Sequence, residues 1–170
     1  WWPGVATEPG VLNLPVPQGT EILVPDALLI PPVGFDEGGY RFPGLVNSDD
    51  PEGAVWTGSN EMGFTIMNTA SYNLKDDDIK EMDQEGNLMR KALRVCKTVQ
   101  DFEHFLDTLP RPMRVEANFG VIDAYGGAAY YETNNERYYK KDANDPNLAP
   151  EGYLIYTNFS FEGRTDEGKG

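Results

Sequence analysis

Ala54-Val55-Trp56-Thr57-Gly58-Ser59-Asn60-Glu61-Met62-Gly63-Phe64-Thr65-Ile66-Met67 is the stretch on which the fold turns. Ala54–Thr57 and Phe64–Met67 are apolar, β-branched runs, and the residues between them form a polar turn cluster with a glycine at each end. Two such runs around such a cluster predict a β-hairpin.

Beyond the hairpin, the polar stretch Lys75–Asp78 leads into helical sequence. Leu88, Met89, Ala92, Leu93 and Cys96 recur at helical spacing, with Arg90, Lys91 and Arg94 on the other face. This predicts an amphipathic helix over about Gln84–Lys97. Thr98 followed by Asp101 has the form of an N-cap with an acidic third position. The helix it opens buries Phe102, Phe105, Leu106 and Leu109, and Pro110 and Pro112 stop it.

Strands are expected at Asn118–Ala124, Ala128–Thr133 and Arg137–Lys141, with turns at Tyr125-Gly126-Gly127 and Asn134-Asn135-Glu136. A fourth is expected at Tyr153–Phe159. Hairpin, helix pair and meander together argue an α+β fold with a mostly antiparallel sheet and helices on one face.

Residues 1–39 differ from all of this. They hold seven of the thirteen prolines, which excludes long central strands and helices there. They read as a wrapping arm or surface excursion. Short pieces such as Glu21–Val24 and Ala27–Ile30 are suited to a sheet edge. Residues 40–170 form the domain proper.

At 170 residues the chain fits one domain with a sizeable core. Its 28 acidic residues against 14 basic ones give a net charge of -14. Charge of that sign repels phosphate backbones and anionic lipid surfaces, so neither nucleic acid nor membrane is an expected partner. No apolar run approaches the ~20 residues of a membrane helix. One cysteine permits no internal disulfide and leaves the compartment undetermined.

Few residues offer chemistry. Cys96 lies in an apolar helix stripe, where a thiol is a core group rather than a nucleophile. His104 lies away from Phe102 and Leu106 on its helix and should be exposed. With no second histidine, a His-based zinc site is implausible. Asp76-Asp77-Asp78 and Asp142–Asp145 lack the ligand spacing of a calcium loop, so no metal and no cofactor are expected. Asn68 and Asn158 each end an apolar run. A neutral amide fixed at a strand end is a donor that can face a developing oxyanion, although such residues also serve as plain strand-end hydrogen-bonders.

At these runs a family resemblance emerges. Residues 58–72, GSNEMGFTIMNTASY, resemble the "NE.G" turn and following strand of the choloylglycine hydrolase and penicillin acyltransferase branch of N-terminal-nucleophile (Ntn) hydrolases. Residues 118–132, NFGVIDAYGGAAYYE, are similar to that branch's next hairpin, and Tyr156-Thr157-Asn158-Phe159 to its "TN" strand. The match runs over roughly Tyr40–Gly170.

The resemblance implies an αββα sandwich and hydrolysis, or acyl transfer, of a linear amide such as an N-acyl amino acid or a bile-salt-like conjugate. In the family a processed amino-terminal Cys is the nucleophile and its α-amine the base. By position, Asn68 would match the oxyanion asparagine, Asn158 the second active-site asparagine, and Tyr72 would lie in the substrate-facing loop.

The nucleophile and its strand have no match here, since residue 1 is Trp1. The expectation is a partial chain, inert or nearly so by itself. Two alternatives stand beside it: a non-catalytic ligand-binding relative, or a structural subunit completed by another chain or a second copy.

Overall fold

The computed structural model describes residues 39–163 and the backbone of 27–30. Seven strands, Ala27–Ile30 (β1), Gly44–Asn47 (β2), Asp50–Ser59 (β3), Thr65–Ala70 (β4), Ala117–Ile122 (β5), Ala128–Thr133 (β6) and Tyr138–Asp142 (β7), form one antiparallel sheet in sequence order. Two helices, Glu85–Val95 (α1) and Val99–Thr108 (α2), connect β4 to β5. The fold is α+β, with one helix layer on one sheet.

The central hairpin is β3 and β4, with Thr57 opposite Met67 and Ser59 opposite Thr65. At its turn Gly63 has φ +85, and a Cβ there would sit 2.7 Å from that of Ala124, so both conformation and space call for glycine. β5, β6 and β7 match the expected meander to within a residue or two. β2 has no counterpart among the expected strands, because Gly44–Asn47 carries too short an apolar run to stand out. Of the proline-rich opening, only Ala27–Ile30 and Gly39 fall among the described residues. Ala27–Ile30 takes the sheet edge beside β2, where a missing amide on neighbouring residues is tolerated. Glu21–Val24 and the rest of the expected arm lie outside the described residues.

Ile66, Phe119, Val121 and Tyr131 face the helices and are buried. Phe102 of α2 is the hub of this core, with the rings of Tyr131, Phe64, Phe119 and Phe105 at 5.2, 5.9, 6.0 and 6.2 Å. α2 opens with the expected capping box between Thr98 and Asp101. α1 ends one residue earlier than its apolar stripe suggests, leaving Cys96 as its C-cap residue, 1% exposed. α1 approaches β3 so closely that a Cβ on Gly86 would meet that of Ala54 at 2.4 Å.

The expected fourth strand at Tyr153–Phe159 does not form; the segment belongs to no strand and bends at Asn158. What it lacks is a neighbouring backbone, because it crosses the open face of the sheet instead of joining its edge.

Candidate functional site on the open face of the sheet

Register places Thr69 opposite Asn118, and Asn118 opposite Glu132. The three side chains therefore form a polar row across β4, β5 and β6, on the face away from the helices. The segment ending in Gly163 lies over this row and bonds to it through the main chain of Thr157, Phe159, Phe161 and Glu162. Thr69 Oγ1 donates to the carbonyl of Thr157 (3.0 Å), and Asn118 Nδ2 donates to that of Phe159 (3.3 Å). The amides of Phe161 and Glu162 donate to the two oxygens of Glu132, both at 2.9 Å. Side chains here do what a partner strand does elsewhere.

A second cluster locks the same segment. Ser160 Oγ donates to Asn118 Oδ1 (2.6 Å) and pairs with Ser71 Oγ at 2.7 Å. Asn73 bonds both main-chain groups of Ser160, its Nδ2 to the carbonyl (2.6 Å) and its Oδ1 from the amide (2.9 Å). Ser71, Asn73, Asn118, Glu132 and Ser160 are all buried. Such a cluster is tolerated because every buried side-chain nitrogen and oxygen among the described residues has a partner.

Next to the row, Tyr156 stacks on Tyr130 with centroids 3.7 Å apart. Burial and the Glu132 carboxylate beside it push the ionisation of the Tyr156 hydroxyl upward. Burial does the same to Tyr130, whose hydroxyl pairs with Thr69 at 2.6 Å. Beyond the stack lies an apolar hollow of about 340 Å³, whose walls include Met67, Ile122, Tyr130, Tyr153 and Leu154.

The residues singled out by sequence fall as follows. Asn68 pairs with Phe119 and shares the helix-facing side of β4 with Ile66. Asn158 sits on the crossing segment between two tethered carbonyls and is exposed. The sheet lies between the faces that carry these two carboxamides. Tyr72 is exposed and borders a separate open hollow of about 580 Å³ with Lys75, Asp76–Asp78 and Glu116. Asp77 there is held below the usual carboxylate range by the Asn135 amide, the Ile79 amide and Lys75. Among the described residues no group of three or more His, Cys, Asp or Glu is placed to hold a metal ion.

Burial pushes the Cys96 thiol up to about 12, with Asp101 adding to the effect. It is no nucleophile. His104 is exposed, as its helical position predicts.

The turn asparagine Asn60 and the aspartate Asp123 prove to be cross-links. Asn60 of the turn donates to the carbonyls of Leu93 and Cys96 at the end of α1 (2.8 and 2.7 Å). Its Oδ1 accepts from the amides of Met62 and Phe64. Asp123 accepts from the amides of Val99, Tyr125 and Gly127, tying the β5–β6 turn to the start of α2. Partial desolvation works to raise its carboxyl, but the three amides together outweigh it and hold the group below the usual range.

Sequence reasoning missed Asn118, Glu132, Ser71, Asn73 and Ser160. The available signal is a polar residue recurring at the open-face position of three successive strands, which becomes visible only once register is known.

No family model matches the chain, and no curated protein matches it. Among solved structures, it resembles a variant of conjugated bile acid hydrolase from Clostridium perfringens at 17% identity and a TM-score of 0.46, over 62% of this chain and 36% of that one. It resembles penicillin V acylase from Agrobacterium tumefaciens at 16% identity and a TM-score of 0.48, over 72% of this chain and 37% of that one. The match thus spans little more than a third of either protein, and a likeness this coarse says nothing about activity.

Proposed function

We propose that these residues are part of a hydrolase or acyltransferase acting on linear amide bonds, with the nucleophile supplied from outside the 170 residues. The motif resemblance supports this reading, and so does the chemistry of the one thiol. Cys96 is buried at a helix end with its pKa pushed up to about 12, so it cannot attack a carbonyl at neutral pH.

The observation that carries the reading is the open face. It displays Asn158 between anchored carbonyls and leaves Met67, Ile122 and Ile155 more than half exposed. One layer of an αββα sandwich needs such a face: apolar enough to take an opposing sheet, with an amide donor at the seam. The substrate class is an N-acyl amino acid or bile-salt-like amide, and Asn158 is the oxyanion donor best placed on this face. Asn68 would reach the same site only from the far side of β4.

The test is the reading frame upstream, followed by an activity measurement. A Cys-led strand that processing would expose is expected there. In the protein so completed, Asn158→Ala should lower kcat by about 10²-fold, the scale of one lost oxyanion donor, with KM little changed. A transcript encoding these residues alone, or an Asn158→Ala protein of full activity, would overturn the proposal.

The inert thiol also favours a second reading, in which the chain binds such an amide without cleaving it. Calorimetry with an N-acyl amino acid would then show binding and no product after long incubation.

A further inference from the structure

We infer that residues 153–163 form a strap that lifts from the sheet as a unit, with Glu132 and Tyr156 as its latch. Three observations carry this. First, the strap has no strand partner among the described residues. The bonds described above tie its main chain to side chains of Thr69, Asn73, Asn118 and Glu132. Removing a strand from a sheet breaks a main-chain ladder. Removing the strap breaks only side-chain tethers, so its opening lies below global unfolding in free energy.

Second, its two ends differ. Ser160 is fully buried, and Lys141 pairs with Glu162. At the other end Tyr153 and Ile155 are 60% and 73% exposed, and the preceding Gly152 has φ +76. The glycine provides a joint and the exposed side chains leave the first turn loosely held. Third, the strap roofs something. Tyr153 and Leu154 wall the apolar hollow of about 340 Å³, and Tyr156 lies flat on Tyr130. Lifting the strap merges that hollow with the polar row of Thr69, Asn118 and Glu132 and exposes both to solvent.

Glu132 is the latch because its two oxygens accept from consecutive amides while the Tyr156 hydroxyl lies against the same carboxylate. Glu132→Gln keeps the size and turns one acceptor into a donor that faces an amide. This inference concerns the chain's own motion and does not depend on the hydrolase reading.

Native-state hydrogen exchange on the whole chain tests it. In the unmodified protein, the amides of Ser160, Phe161 and Glu162 should exchange at least roughly tenfold faster than those of Phe119 and Val121 in β5. In Glu132→Gln and Tyr156→Ala, the strap amides should exchange roughly tenfold faster again, with β5 unchanged. Equal protection of strap and β5 in the unmodified protein would overturn the inference. So would variants in which strap and β5 accelerate together. The first comparison needs no variant, so it holds even if the substitutions impair folding.

Discussion

The two faces of the sheet are built on opposite principles. The helix side is dry and aromatic, with Phe102 touching four rings and α1 resting on β3 through Gly86. The open side carries a polar row, a strap held by that row, and large apolar side chains left to solvent. Burial of apolar area stabilises the first face without directional demands. The second depends on hydrogen bonds that must all be made at once. The helix side therefore sets stability, and the open side sets shape.

Substitutions can break this contrast. Phe102→Ala removes the hub and should cost about 3–5 kcal/mol in denaturant unfolding; a much smaller loss would mean that the helix face is not the main source of stability. Asn60→Ala strips four main-chain groups of their partner and should cost about 3 kcal/mol by the same measurement. Asn118→Ala opens the polar row and should cost about 2 kcal/mol, with the loss of protection concentrated in the strap amides. If Asn118→Ala matched Phe102→Ala, the two faces would be equivalent in stability.

Cys96 gives a pH-dependent version of the test. Its folded pKa is about 12, raised from 9.0, so ionisation favours the unfolded chain. Its contribution is intact below pH 9 and is lost progressively as pH rises from there toward 12. Comparison with Cys96→Val should show a loss on the order of 1 kcal/mol by about pH 10 in the unmodified protein beyond that of the variant. The smallest effect belongs to Asn158→Ala, which should change stability by less than about 0.5 kcal/mol. A large change would recast Asn158 as a structural residue and remove it from the site.

Much of the fold is legible from local chemistry. The hairpin around Asn60, the two helices with the Thr98 capping box, and the meander all follow from patterns within a few residues of one another. β2 escapes notice because so short a run carries too little signal. The strap passes for a strand because an apolar run such as Tyr153–Phe159 cannot say what the chain leans on. The candidate site is less legible still. Asn118 and Glu132 look ordinary along the chain, and only register sets them beside Thr69. Asn68 attracts attention as a strand-end amide without regard to face, and its neighbour Thr69 is the residue that turns toward the strap.

The strap's main-chain contacts fall on Thr157, Phe159, Ser160, Phe161 and Glu162, the last four consecutive. Their partners Thr69, Asn118 and Glu132 are set across three strands by sheet register, so the chain between Thr157 and Glu162 has one length that fits. An insertion or deletion after Asn158 would leave the Thr157 tether in place and carry the Phe159 carbonyl and the Phe161 and Glu162 amides off Asn118 and Glu132.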